Sequence, residues 1–146
     1  MERIFYNIDI VDWIYGTVEK VKTQKIAWNK AWYDTYFELG GKSEASAQKG
    51  CPRAAVRILY EKGYLLKHKP DTPFDETKPT PQNGVYAEMA VKYLCEKSEC
   101  KRSILIKEVH KMAIKKLGTA PKSDQGAVRI THILWEADEI DVPMGA

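Results

Sequence analysis

Residues 42–64 read KSEASAQKGCPRAAVRILYEKGY and place several helix-boundary signals in one short stretch. Ser43 is a favourable N-cap, because its hydroxyl can accept a hydrogen bond from an amide of the first helical turn. A Gly-Cys-Pro break follows, and Pro52 fits the first turn of a new helix, where its missing N–H is not needed. Gly63 stands where a helix end favours a positive φ. The stretch therefore predicts a short helix, a break and a separate helix at Pro52–Lys62.

Two further helices are predicted upstream of this stretch. Apolar residues recur at helical spacing from Ile10 to Val21, and Asn7 or Asp9 can cap that segment. A second helical segment runs from Ile26 to Leu39, and Thr23 is its predicted cap.

An aromatic stripe marks the second of these helices. Trp28, Trp32 and Tyr36 are four residues apart, so they lie on one helix face. A stripe of this kind is more often part of a core than a platform for a ligand. We therefore expect the three rings to be buried.

The segment 67–83 interrupts the helical pattern. It contains four prolines, which preclude a helix or a central strand. We expect a long loop, pinned to the body of the protein by Phe74, and loops of this length are usually functional or mobile. The chain is predicted to form a single domain over 1–146, with a subdivision into 1–66 and 84–146 as the alternative.

Helical spacing resumes after the loop. Two helices are predicted at Val85–Cys95 and Ile104–Leu117, the second with Leu105, Val109, Met112 and Leu117 inward. A last helix is predicted at Asp124–Glu139, capped by Ser123. The predicted fold class is all-α, with about six helices in a compact bundle and at most a short β-hairpin after Gly63.

Composition restricts the class of protein. An apolar fraction of 44% and a charged fraction of 29% are globular values. No apolar run approaches the ~20 residues of a membrane span, and the N-terminus lacks a secretory apolar region. These features predict a cytoplasmic protein without membrane association. The three cysteines, Cys51, Cys95 and Cys100, lack the spacing of a zinc site or a disulfide framework.

Residues for catalysis are sparse. The histidines are His68, His110 and His132. Only His132 has a suitable neighbour, because Glu136 follows four residues later on the same helix face. The pair could also supply two metal ligands, with Asp138 or Asp141 as a third, but a solvated acidic helix end is the simpler interpretation. The sequence therefore predicts no cofactor, no metal and no catalytic residue.

Nucleic-acid binding has more support in the sequence. The helix at Pro52–Lys62, followed by an apolar pair and basic residues, is the pattern of a winged helix-turn-helix whose wing begins at Tyr64. The residues that could reach phosphates or base edges are Lys49, Arg53, Arg57, Lys67 and Lys69. A second basic face would come from Lys107, Lys111 and Lys115. Against this interpretation, the sequence pI of about 8.6 falls short of the strong basicity usual for such domains.

The run Lys49-Gly50-Cys51-Pro52-Arg53, with Glu61-Lys62-Gly63 after it, resembles a family of small uncharacterised bacterial proteins with a Lys-Gly-Cys-Pro helix start. The likeness also includes an Ala-Trp helix upstream and a segment like that at 83–91, and it covers about residues 13–94. The resemblance implies a helical fold and no catalytic activity.

Three functional hypotheses follow from these observations. The favoured one is a small non-enzymatic cytoplasmic protein of bacterial or phage origin, an accessory or inhibitory factor. It would act through its helix faces and the Pro-rich loop on a protein partner. The alternative is a DNA-binding regulator with Pro52–Lys62 as recognition helix, and the third is an enzyme with a perturbed His132. An exposed aromatic patch at Trp28, Trp32 or Tyr33 would favour the first hypothesis.

Overall fold

The structure, a computed structural model, describes residues 3–119 and 126–142. Within these residues the chain forms one antiparallel two-stranded hairpin and seven helices. The strands are β1 (Ile4–Phe5) and β2 (Ile8–Asp9). The helices are α1 (Ile10–Thr23), α2 (Trp28–Glu38), α3 (Glu44–Gln48), α4 (Gly50–Glu61), α5 (Gln82–Glu96), α6 (Arg102–Leu117) and α7 (Ala127–Glu136). The prediction of an all-α fold with a short hairpin is confirmed.

The hairpin lies at residues 4–9 and not after Gly63. Its turn residues Tyr6 and Asn7 have φ of 52° and 65°, as tight hairpin turns with a primed geometry require. After Gly63, Leu65 forms an isolated antiparallel bridge with Ile140. The next segment of the chain is rich in proline and cannot supply a pairing strand, so a distant segment takes that place.

Local capping signals were correct at two helix starts. The Asp9 carboxylate accepts hydrogen bonds from the backbone N of Val11 at 2.9 Å and of Asp12 at 3.1 Å. The Ser43 hydroxyl accepts one from Ser46 N at 3.1 Å. Each bond satisfies an amide that has no partner within its helix.

Other boundaries differ from the sequence prediction. Thr23 does not cap α2, because it is the last residue of α1 and its hydroxyl donates to Glu19 O at 2.7 Å. The helix α2 begins only at Trp28, after an N-cap, Ala27, that makes no side-chain cap bond. The predicted cap at 123 lies outside the described residues.

Buried aromatic rings form the core between α1, α2 and α4. Trp28, Trp32 and Tyr36 are all buried, which confirms the prediction from their spacing. Trp13 stacks on Trp32 with ring centroids 4.2 Å apart, and Trp28 stacks on Tyr60 at 5.6 Å. Such pairs each contribute about 0.5–1.5 kcal/mol beyond the area they bury.

The helix α5 is central to the rest of the molecule, since it packs against α4, α6 and α7. Gly84 permits the close approach of α4, because a Cβ there would lie 2.5 Å from Ile58 Cγ1. The helices before and after the Pro-rich loop are therefore in direct contact.

Candidate functional site

The helix α6 has an unusually small buried surface for its length. Of its side chains only Leu105, Val109 and Ala113 are buried, and they face α5 and α7. These positions are four residues apart and form one narrow stripe. Most of the helix circumference therefore faces solvent.

The side of α6 opposite this stripe carries both basic and apolar residues. We call it the α6 outer face and define it as Ile104, Lys107, Lys111, Ile114 and Lys115. Ile104 is 45% exposed and Ile114 is 50% exposed. At 100° per residue, all five positions lie within about 60° of the direction opposite Val109. The isoleucines therefore flank the lysines on one surface.

Leu117 was predicted to point inward, and this is wrong. It is 40% exposed in the last turn before Gly118, whose φ of +76° ends the helix. A four-residue repeat rotates by about 40° per step around a helix of 3.6 residues per turn. The fourth position of the stripe has therefore turned away from the core, and Leu117 extends the exposed apolar surface.

Among the described residues, few carboxylates lie close enough to neutralise the lysines of the α6 outer face. Lys111 Nζ lies 3.5 Å from Glu108 Oε1 and is exposed, so this pair is weak. Neither Lys107 nor Lys115 lies within 4 Å of a carboxylate of any described residue. The face therefore carries a net positive charge.

The basic residues at α4 have a different setting. Six side chains of α4 are buried, namely Pro52, Ala55, Val56, Ile58, Leu59 and Tyr60. Arg53 is half-buried, and its backbone carbonyl accepts a hydrogen bond from Trp28 Nε1 at 3.1 Å. Arg57 Nε lies 3.7 Å from Glu61 Oε2 and has no hydrogen-bond partner. Lys49 is exposed at the N-cap.

Lys67 and Lys69 are engaged with the C-terminal segment. Lys67 Nζ donates to Glu139 Oε1 at 3.2 Å, and Lys69 Nζ donates to Asp141 Oδ2 at 2.7 Å. Lys69 also donates to the carbonyl of Gly63 at 2.8 Å. These two lysines were predicted to contact phosphates. In the structure they link the segment after α4 to residues 139–141.

His132 is not the surface residue that its pairing with Glu136 suggested. The ring is buried, and Arg102 Nε donates to Nδ1 at 3.1 Å. The other ring nitrogen, Nε2, lies 3.2 Å from Cys100 O. His132 therefore connects α7 to the turn before α6. Glu136 Oε1 lies 3.3 Å from His132 Nδ1, and its side chain is half-exposed.

The aromatic patch that would have supported protein binding is not exposed. Trp28 and Trp32 are buried. Tyr33 is half-buried, and its hydroxyl donates to Glu44 at 2.8 Å. The large apolar side chains that are exposed lie elsewhere, namely Ile4, Tyr15, Leu39, Leu66, Ile104, Ile114 and Leu117.

The described ranges contain neither a cluster of metal ligands nor a membrane-spanning helix. No three His, Cys, Asp or Glu side chains in residues 3–119 and 126–142 are grouped so that they could share a metal ion. Cys51, Cys95 and Cys100 form no disulfide. No helix in the described part of the chain combines the length and apolar composition needed to cross a bilayer.

Residues 14–141 match the model of the Family of unknown function (DUF6979), and the chain belongs to this family. The match extends well past residue 94, where the resemblance drawn from the sequence ends. Two parts of that resemblance stay predictions, namely that the Lys-Gly-Cys-Pro helix start characterises the family and that the source is bacterial. No curated protein and no solved structure matches the chain.

Proposed function

We propose that this protein is a small non-enzymatic binding factor whose α6 outer face takes up an acidic amphipathic helix of a protein partner. The observation that carries the proposal is the exposure of Ile104 and Ile114 beside uncompensated lysines on a helix that buries only three side chains. Exposed apolar surface bordered by polar residues is typical of protein interaction sites.

The spacing of the face favours a helical partner. Ile104, Lys107, Lys111 and Ile114 follow one another at intervals of three, four and three residues. This is the seam along which two helices pack side by side. A partner helix would place apolar side chains against the two isoleucines, and covering each half-exposed isoleucine contributes about 1 kcal/mol.

The charge of the face favours an acidic partner. Lysines at seam positions are unfavourable against an apolar helix, because burial would remove their hydration without replacing it. Aspartate or glutamate on the partner relieves this cost and speeds the encounter. The apolar and ionic contacts together specify a partner helix with acidic residues beside an apolar stripe.

DNA binding is the second candidate function. Its support is the stripe of Lys107, Lys111 and Lys115, since a line of cations can follow a phosphate backbone. The winged-helix form of this hypothesis assigns recognition to α4, which leaves only its half-buried arginines and Lys49 at the surface. A phosphate backbone gives no role to the exposed isoleucines, and for this reason we favour the protein partner.

Affinity capture from a nuclease-treated lysate of the source cells tests the proposal. The baits are the wild-type protein, Ile104→Ser/Ile114→Ser and Lys107→Glu/Lys111→Glu. The controls are Leu39→Ser, which changes another exposed apolar residue, and Lys92→Glu, which changes an exposed lysine of α5. Quantitative mass spectrometry then compares the captured proteins.

The expected result is a protein that the wild type and both controls retain and both α6 variants lose. A captured set that is identical for all five baits would contradict the proposal. Binding of duplex DNA that falls steeply with salt, and that is lost in the lysine variant but kept in the isoleucine variant, would support the second candidate instead.

A further inference from the structure

A cleft of about 640 Å³ lies between the C-terminal part of α1, the outer side of α4 and the Pro-rich loop. Its volume is within the range of small-molecule sites. It involves no residue of α6, so it is a separate surface from the proposed protein-binding face. The loop forms its outer wall with Pro70, Pro73, Phe74 and Pro79.

The carboxylates that line the cleft already have partners. Glu61 lies 3.7 Å from Arg57 Nε, and Asp71 lies 3.7 Å from Lys22 Nζ. Asp75 accepts hydrogen bonds from the backbone N and the hydroxyl of Thr77. The acids are therefore occupied with local contacts.

The basic side chains of the cleft have fewer close acidic partners. Lys25 and Lys78 both line it, and neither forms an ion pair with any residue that the structure describes. Arg57 also lines it, and its contact with Glu61 at 3.7 Å is too long for a hydrogen bond. The cleft therefore has spare capacity for an anion.

The remaining walls are apolar or aromatic. Ile58 and Tyr60 lie at the α4 side and are largely buried, so they are held in place by the core. Phe74 lines the cleft from the loop, and Lys62 Nζ lies 4.7 Å from its ring centroid. Phe74 and three prolines of the loop provide surface for a flat apolar group.

We propose that this cleft binds a small organic anion, with its carboxylate or phosphate group at Arg57, Lys25 and Lys78 and its flat apolar body against Phe74 and the prolines of the loop. The guanidinium would supply directional hydrogen bonds and the lysines would supply charge. The Pro-rich loop thereby acquires a function as the outer wall of a ligand site. This site stands independently of the α6 outer face.

The test uses 1-anilinonaphthalene-8-sulfonate, a fluorescent probe with an anionic group on a flat apolar body. N-phenyl-1-naphthylamine, which lacks the sulfonate, is the matched neutral probe. Titrations compare the wild type with Arg57→Gln, Lys25→Gln/Lys78→Gln and Glu61→Gln. Lys107→Gln/Lys111→Gln and Ile104→Ser/Ile114→Ser control for binding at α6, and urea unfolding checks that each variant is folded.

The proposal predicts that the lysine variant and Arg57→Gln each weaken binding of the anionic probe about tenfold, as expected when charge-assisted contacts are lost. Glu61→Gln should strengthen it, because the arginine then has no competing acid, and its urea unfolding curve must match that of the wild type, since partly unfolded chains also bind this probe. Backbone amide shifts on titration should fall in residues 21–25, 57–61 and 70–79. Inorganic phosphate or acetate should displace the probe, and the stronger competitor identifies the preferred anionic group.

Equal affinity for the charged and neutral probes would overturn the proposal. Loss of binding only in the α6 variants, or amide shifts outside the cleft, would do the same.

Discussion

Lys62 Nζ lies 2.6 Å from Glu88 Oε1 and so joins the end of α4 to α5 across the Pro-rich loop. Both side chains are less than one-fifth exposed. The other carboxylate oxygen of Glu88 accepts a hydrogen bond from Tyr64 OH at 3.0 Å. One carboxylate therefore positions two residues at the start of the loop that forms the cleft wall.

Glu88→Gln should lower the free energy of unfolding by about 2 kcal/mol, because Lys62 loses its charged partner in a partly buried site. Asp34→Asn is the matched control, since it removes an ion pair between Lys30 and Asp34 whose lysine is 69% exposed. We expect the control to cost about 0.5 kcal/mol or less. Urea unfolding measures both, and equal losses would contradict the structural role of Glu88.

Stability should also fall at alkaline pH because of Tyr64. Burial, and then the charge and hydrogen bond of Glu88, raise the pKa of Tyr64 from 10.0 to about 12. The folded state holds this proton more tightly, so the contribution is full below pH 10 and is lost between pH 10 and 12. This pKa shift of about two units corresponds to a loss of at most about 3 kcal/mol in the free energy of unfolding.

Tyr64→Phe isolates this effect. At pH 8 the variant should be less stable than the wild type, because the hydrogen bond to Glu88 is lost. As the pH rises to 11 the difference should shrink, since only the wild type carries the tyrosine that ionises on unfolding. A difference that stays constant from pH 8 to 11 would show that Tyr64 does not titrate as proposed.

The stacked indoles should respond unequally to the same substitution. Trp13 Nε1 donates to Trp32 O at 2.9 Å, whereas Trp32 Nε1 is buried without a hydrogen-bond partner. Trp13→Phe loses a bond, and Trp32→Phe removes an unsatisfied donor for a similar loss of volume. Trp13→Phe should therefore be the more destabilising by about 1–3 kcal/mol. Thermal unfolding of the two variants decides this, and the reverse order would refute it.

Two glycines in helices should give opposite results when replaced by alanine. A Cβ at Gly84 would lie 2.5 Å from Ile58 Cγ1, while one at Gly50 would meet only a terminal nitrogen of Arg53 at 3.6 Å. Gly84→Ala should destabilise the protein by about 1–3 kcal/mol through overpacking. Gly50→Ala should be neutral or stabilise it by up to about 1 kcal/mol. Chemical denaturation compares them, and stabilisation by both would mean that α4 and α5 are less closely packed.

Features set by neighbouring residues were predictable from the sequence. The caps at Asp9 and Ser43 and the stop at Gly63 depend on side chains within a few positions. The burial of Trp28 and Trp32 was predictable because their four-residue spacing defines one helix face.

Features that depend on distant segments were not predictable. The bridge of Leu65 with Ile140 joins residues far apart in the chain. The burial of His132 depends on Arg102, thirty positions before it. The lysine stripe of α6 was predictable, because it depends only on spacing within one helix. The exposure of Ile104 and Ile114 was not, because it depends on which side of α6 packs against α5 and α7.

The most direct test of the proposed function is site-specific photocrosslinking in the source cells. A photoreactive amino acid replaces Ile114 on the α6 outer face or, as the control, Leu39 after α2. The account predicts a crosslink from position 114, and not from position 39, to a protein segment with acidic residues beside a helical apolar stripe. A crosslink from position 114 to nucleic acid, to a second copy of this chain or to nothing would contradict it.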